Sequence, residues 1–384
     1  MDRRLRGFLA AGLVDSFAFA FGWTVFVLLV VAEEGFRAAA LCNGALLVGA
    51  ALSAPVTERL AALLDGRSLI RSTALFEGTL RVGIFVALLQ HAPVALLAVG
   101  VLLMSTAAWC GFAAMRAEAA SAGGGVVALT WYAVGIGSIE AAGTACGALL
   151  LTGSGRVLTG TALWAVVGLY AASLVPTLLV AHYALRPRAA RARALLAPVR
   201  RLARPLTGGF GVMLVGSGLT LLAVPLAATL YGPIAVAASA AAFAAGALLA
   251  PFSAGALERA RAHDAVLWPV LGAVMVAGWF AAPVFLGGLL AAQFLSGYGL
   301  TAFEGAMDAR VAAVAEDGAV ASNLAYASAS RALGSSAAVT LTPLFVAASA
   351  IGWIGTGETI VLMGAAGVAL IARSGRLARA PSTA

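Results

Sequence analysis

Apolar runs of about 20 residues, set apart by short polar breaks, recur from residue 8 almost to the end of this 384-residue chain. Each run is long enough as a helix to cross the ~30 Å hydrocarbon layer of a bilayer. In lipid the backbone must satisfy its own polar groups, which leaves helices and closed barrels as spanning structures. The runs lack the ~10-residue alternating segments of a barrel. An all-α polytopic membrane protein follows. Composition agrees: 62% of residues are hydrophobic and 10% charged, against about 25% charged in a soluble domain. An ordinary water-soluble enzyme is excluded. The first run has basic flanks but is too long for a signal-peptide core, and no small-residue cleavage site ends it, so it reads as a span.

Twelve spans are predicted, at 8–31, 37–57, 68–90, 94–115, 125–151, 160–184, 207–231, 233–256, 265–282, 284–306, 319–347 and 353–372. The ninth and tenth share one apolar stretch broken at Ala281-Ala282-Pro283. All 24 basic residues are arginine, and the net charge is +8. With a cytoplasmic start, twenty arginines fall on the cytoplasmic side, Arg37 and Arg156 on the other, and Arg81 and Arg331 inside spans. This bias predicts a multi-pass protein of the cytoplasmic membrane with both termini in the cytoplasm. The arginines are dispersed in loops and not interleaved with aromatics on one face, which argues against a nucleic-acid partner. Seven of them lie in residues 185–206, read as a linker attracted to anionic lipid headgroups. It separates six-helix units at 1–184 and 207–384.

The two units echo one another, as a parallel repeat would. Ser53-Ala54 and Glu58-Arg59 recur as Ser253-Ala254 and Glu258-Arg259. Met115-Arg116-Ala117-Glu118 recurs as Met307-Asp308-Ala309-Arg310, with charges exchanged. Glu140 and Gly143 recur as Arg331 and Gly334, again with opposite charge. Twelve spans in a 6+6 repeat, a basic central loop, and charged loops after spans 2 and 8 resemble the major facilitator superfamily of secondary transporters. In the loop after span 2, Glu58-Arg59 followed by Asp65-Gly66-Arg67 resembles the family's acidic-basic pair, glycine and basic cluster. Span 4 lacks the family's central basic residue, and span 5 keeps Gly143 and Gly147 without the proline of the drug-antiporter signature. The resemblance implies that spans 1, 4, 7 and 10 line a cavity and that spans 2, 5, 8 and 11 form the interface between units that rock about a midplane site. It also implies gating roles for Glu58, Arg59, Asp65, Arg67, Glu258 and Arg259.

Ionisable side chains inside a span are expensive and mark function when they have somewhere polar to face. Glu77 and Arg81 stand four apart on span 3, the spacing of a same-face pair. They are read as a structural ion pair turned inward. Asp15 lies ~12 Å along span 1, somewhat short of the midplane. Two readings are open for it: a carboxylate hydrogen-bonded locally, or a proton or cation site. Glu140, preceded by Trp131 and Tyr132, is central in span 5, and Arg331, beside Tyr326, is central in span 11. These charges either meet across the two units during rocking or are satisfied within their own. Glu304 and Asp308, near the cytoplasmic end of span 10, read as either pathway or solvated residues. Counting Asp15, Glu77, Glu140 and Glu304 against Arg81 and Arg331 leaves acids without a fixed partner. Burial favours the neutral form of such an acid, which can then take up and release a proton.

The function expected is therefore secondary transport of a small organic molecule, proton-coupled and in the efflux direction, by a monomer. Phe17, Phe19, Phe21, Trp23, Trp109 and Phe112 suit an apolar or amphipathic ligand. Phe19 and Trp23 follow Asp15 at helical spacing, whereas Phe17 and Phe21 fall on another side and are expected to meet lipid. No cofactor or metal is expected, and no catalytic residue. Cys42, Cys110 and Cys146 each stand alone in an apolar helix as packing residues. His91, His182 and His263 fall at span ends. A membrane enzyme acting on lipid-linked substrates would need a water-exposed cluster of acids, histidines or metal ligands in loops, and the loops are short. ATP-driven transport lacks a GxxxxGK[ST] phosphate loop. A non-transporting scaffold would have no use for buried charges.

Overall fold

The computed structural model describes residues 3–121, 126–153, 160–184, 202–260, 264–313, 320–345 and 350–377. Among these, every regular element is helical. Before the predicted linker the chain holds α1 (Arg3–Glu34), α2 (Phe36–Leu63), α3 (Gly66–Leu89), α4 (Val94–Ser121), α5 (Val126–Gly153), α6 (Gly160–Ala172) and α7 (Val175–Val180). After it come α8 (Ala203–Gly216), α9 (Gly218–Leu221), α10 (Ala223–Tyr231), α11 (Pro233–Ala260), α12 (Asp264–Ala277), α13 (Leu286–Ala313), α14 (Val320–Phe345) and α15 (Ile351–Leu377). The predicted linker lies almost wholly outside the described residues.

Eight spans among the described residues meet the length and composition of a membrane crossing, fewer than the twelve runs predicted. The difference has local causes. The seventh run is divided into α8, α9 and α10 at Ser217 and Leu222. The ninth contributes a shorter apolar helix, Asp264–Phe280, whereas the fifth forms a 28-residue helix, Val126–Gly153. The eleventh, α14, carries Asn323, Arg331 and a series of serines.

Packing repeats between the units. In the first, α1 packs on α5, α2 on α4, and α3 on α4 and α6. In the second, α8 packs on α14, α11 on α13, and α12 on α13 and α15. The glycines explain the closeness of these pairs. A Cβ at Gly143 of α5 would strike the Phe17 carbonyl of α1, and one at Gly334 of α14 would strike the Phe210 carbonyl of α8. These are the positions matched by the sequence repeat. Gly35, between α1 and α2, has φ 84° and ψ 175°, and Gly232, between α10 and α11, has φ 84° and ψ 173°. Side chains rarely adopt this backbone, so glycine makes both turns. Ser53 and Ser253 likewise donate to the carbonyls of Ala50 and Ala250 at 2.7 and 2.8 Å.

Between the units, α2 packs on α14 and α5 on α11, the pairing implied for spans 2, 5, 8 and 11. The hydrophobic core is unequal along these seams. At the end bearing Gly35 and Gly232, one cluster joins both units, from Val25, Phe26 and Phe85 to Leu226, Trp279 and Val339. At the other end the core, among the described residues, parts into two. Leu5, Phe8, Ile70 and Met115 belong to a cluster of the first unit, and Trp268, Phe303, Met307 and Ala327 to a cluster of the second. Among the described residues the core is sealed at one end and divided at the other.

Phe17 and Phe21 depart from the expected lipid contact. Phe21 lies in the shared core, the two rings stack, and their backbone receives Gly143 and Gly147. Helix α5 covers the face that spacing alone left for lipid. Cys42 and Cys110 are buried as expected, whereas Cys146 is exposed.

Candidate functional site

The intramembrane charges gather where the shared core gives way to the parted clusters. Along α1, Leu5 and Phe8 belong to the lower cluster and Phe21 to the shared core, with Asp15 between them. Along α14, Ala327 belongs to the lower cluster and Val339 to the shared core, with Arg331 between them.

Arg81 organises the first group. Its guanidinium is fully buried and binds Glu77 on its own helix. It also donates to Asp15 Oδ1 at 2.8 Å, to the Tyr170 carbonyl at 2.7 Å and to Ser173 Oγ at 2.9 Å. Its flat face lies 4.5 Å from the centroid of the Tyr170 ring and 5.2 Å from that of Phe19. A planar fork of five donors is suited to such a crowded set of acceptors. The expected ion pair of Glu77 and Arg81 is therefore present, but it is one side of a three-helix cluster that takes in Asp15. This corrects the count in which Asp15 had no cationic neighbour. Sequence spacing reveals only pairs on one helix, and Asp15 is brought in by the packing of α1 against α6 and α7. Phe19 serves this cluster as a wall over Arg81.

The cluster is open at one edge. The Glu77 side chain is 3% exposed and that of Asp15 is 23% exposed. Beyond this edge stands Glu140 of α5, half-buried and within electrostatic reach of Asp15. Among the described residues it has no hydrogen-bond or ion-pair partner. Two carboxylates thus bind the one guanidinium, and a third, Glu140, lies near Asp15. A negative charge without a counter-charge is costly in a low-dielectric setting, so this set has use for a proton or another cation.

Arg331 organises the second group. Its Nη1 donates to Asp308 Oδ1 at 2.6 Å, and its Nε lies 3.5 Å from Glu304 Oε1, long for a hydrogen bond. Both acids are on α13, in the same unit, and are nearly half exposed. Arg331 and Glu140 do not meet; the reading in which each is satisfied inside its own unit describes Arg331, while Glu140 is left over. Glu304 and Asp308 are neither purely solvated nor in a separate pathway, because α13 and α14 pack them against a buried arginine. Tyr326 is part of the seam: its hydroxyl donates to Glu58 Oε2 at 3.3 Å, joining α14 to α2 at the divided end. At the sealed end Ser336 Oγ donates to the Gly44 carbonyl at 2.9 Å.

Of the remaining residues assigned to gating, Arg59 and Arg67 are exposed, and Asp65 caps α3 by accepting from the Ser68 backbone N–H at 2.7 Å. Hydrogen bonds from the Ser68 backbone and side chain, with Arg67 nearby, hold the Asp65 carboxyl below the usual carboxylate range. A lowered value means the cap stabilises the helix above the ordinary carboxylate range, and this stability is lost as pH falls through the lowered value. Asp65→Ala is expected to lower the protection of the first-turn amides of α3 against hydrogen exchange at neutral pH, and acidification to lower it in the parent chain once rates are taken relative to the intrinsic rate at each pH; protection unchanged in both would contradict the assignment. The side chains of Trp131, Tyr132, Glu258 and Arg259 lie outside the described residues.

Three partners escaped sequence reasoning. Tyr170 and Ser173 carry no charge to flag them, and they act through a carbonyl, a hydroxyl and a ring face. Glu358 of α15 lies inside the twelfth predicted run and belongs in the count of spanning acids. Its Oε2 is shielded from solvent and has no hydrogen-bond partner among the described residues.

No protein-family model matches the chain, and no curated protein sequence does. Its backbone is similar to those of solved transport proteins along almost their whole length. The nucleoside transporter NupG aligns with a TM-score of 0.71 at 12% identity, over 96% of this chain and 99% of that one. A bacterial homologue of the iron transporter ferroportin, outward-facing with soaked iron, aligns with a TM-score of 0.65 at 14% identity, over 96% and 99%. The human organic anion transporter MFSD10 aligns with a TM-score of 0.64 at 15% identity, over 97% and 99%.

Proposed function

We propose that this chain, whose fold is that of the major facilitator superfamily, is a proton-coupled secondary transporter exporting a small apolar or amphipathic molecule across the cytoplasmic membrane. In this reading the helices form twelve spans in two six-helix units, 1–184 and 207–384, joined by the basic linker 185–206. The arginine bias puts both termini, and the divided end of the molecule, in the cytoplasm. The state described is then the cytoplasm-open one of an alternating-access cycle, with Asp15, Glu140 and Arg331 at the base of its opening.

The observation that carries the reading is a group of three carboxylates beside a single guanidinium: Asp15 and Glu77 hold Arg81, and Glu140 lies near Asp15 with no cation of its own among the described residues. A site with surplus acid takes up a proton when the opening admits water and releases it when its surroundings change. Glu140 and the exposed edge of Asp15 are the members placed to exchange it. Substrate class follows from the same accounting. Arg81 and Arg331 each already hold two carboxylates, so neither offers a free cation to a phosphate or carboxylate ligand. A neutral or cationic molecule suits the site better. The transport proteins among the structural neighbours favour this function over a membrane enzyme or a scaffold.

The test is reconstitution. Ligands found by thermal shift on the purified protein are assayed in proteoliposomes, and a proton gradient directed against the substrate's movement is expected to drive its accumulation. Movement indifferent to collapse of that gradient for every ligand would contradict the proposal.

A further inference from the structure

A second recess lies away from the charge clusters, in the wall of the second unit between α8, α14 and α15. Its volume is about 250 Å³. Leu214, Ala338, Leu341 and Ile354 give it an apolar lining, and Thr342 and Glu358 are polar. Leu341 is exposed on the outer surface of the bundle, and Thr342 is buried with its hydroxyl donated to the Ala338 carbonyl at 2.7 Å. Glu358 is at once part of this lining and, among the described residues, unpartnered at Oε2. It stands about 10 Å along α15 from Ile351, at 1.5 Å per residue. That depth puts the carboxylate below the level of lipid headgroups in the proposed arrangement of spans.

We infer that this recess is a binding site for an amphipathic amine, with the ammonium group on Glu358 and its apolar body against Leu214, Leu341 and Ile354. An isolated carboxylate in an apolar wall is costly unless a positive charge or a proton meets it. The recess has room for a ligand of naphthalene size and one anionic group to orient it, the usual composition of a small-molecule site. The Thr342 hydroxyl, its proton given to Ala338, keeps lone pairs for a second ammonium hydrogen. Among the described residues no arginine lines the recess, so its lining offers an anion no cation. The inference does not depend on which molecule the central site carries.

The experiment compares 1-naphthylmethylamine with the neutral alcohol of the same shape, 1-naphthylmethanol. Binding is measured to the full-length protein in phosphatidylcholine nanodiscs, with empty discs subtracted. The amine is expected to bind about tenfold more tightly than the alcohol. Glu358→Gln, which keeps the side-chain shape, should bring the two ligands to equal affinity. Leu341→Trp, which fills the mouth from the outer surface, should weaken both by about tenfold. Equal binding of the two ligands to the parent chain, or a preference that survives Glu358→Gln, would overturn the assignment, as would unaltered binding to the Leu341→Trp variant. Because the readout is binding and the decisive residue lies outside the central cluster, failure here leaves the transport proposal standing.

Discussion

Arg81→Gln is expected to destabilise the protein by about 3–5 kcal/mol, the cost of removing one partner from a buried ion pair. The variant strands Glu77 in the interior and leaves Asp15, the Tyr170 carbonyl and Ser173 without their donor. Thermal unfolding of the purified protein, followed by tryptophan fluorescence, measures the loss. Arg81→Lys should fall between the variant and the parent, because an ammonium restores charge but not the planar fork or the stacking on Tyr170. A variant Arg81→Gln as stable as the parent would mean that the cluster does not hold α1, α3 and α6 together. Glu77→Gln should be far milder, since it removes a charge from a set that has too many.

Glu140→Gln is expected to separate exchange from net transport. Glutamine keeps the size and hydrogen-bonding reach of the side chain and cannot carry a proton. Among the described residues Glu140 supports no ion pair, so folding should be unaffected. Substrate-for-substrate exchange, which needs no net proton movement, should persist at near the parent rate, while accumulation driven by a pH gradient should fall by an order of magnitude or more. Asp15→Asn should weaken both, because Asp15 serves Arg81 as well as the open edge. Counterflow and gradient-driven assays on the same proteoliposomes distinguish these outcomes. A Glu140→Gln variant that loses exchange and accumulation together would place the residue in substrate binding rather than in coupling.

Much of the architecture was legible in the chain because membrane spans obey a length rule that folding cannot evade. The repeat was legible through glycines. Gly143 and Gly334 match at the same offset as Glu140 and Arg331, and each seats a carbonyl of a neighbouring helix, Phe17 or Phe210. The break at Ser217 and Leu222 was harder to anticipate, since the residues around it are as apolar as those of an intact span. Candidate charges were visible one at a time, but their partners were not. Spacing on a helix couples Glu77 to Arg81; only the packing of three helices adds Asp15. Glu304 and Asp308 look solvated from their position near a helix end, and it is Arg331, reaching across from α14, that engages them. Tyr170 contributes a backbone carbonyl to Arg81, a role open to any residue and so unmarked in sequence.

The proposed function requires protons to move opposite to the substrate through a cluster that holds more carboxylates than cations. The most direct measurement is proton flux itself, read by a pH-sensitive dye inside proteoliposomes when an outward or inward substrate gradient is imposed with the membrane potential clamped. The parent protein is predicted to move protons opposite to the substrate and in proportion to it, and Glu140→Gln to move substrate by exchange with no proton signal. Substrate flux in the parent without any change in internal pH, or an unchanged proton signal in Glu140→Gln, would contradict it.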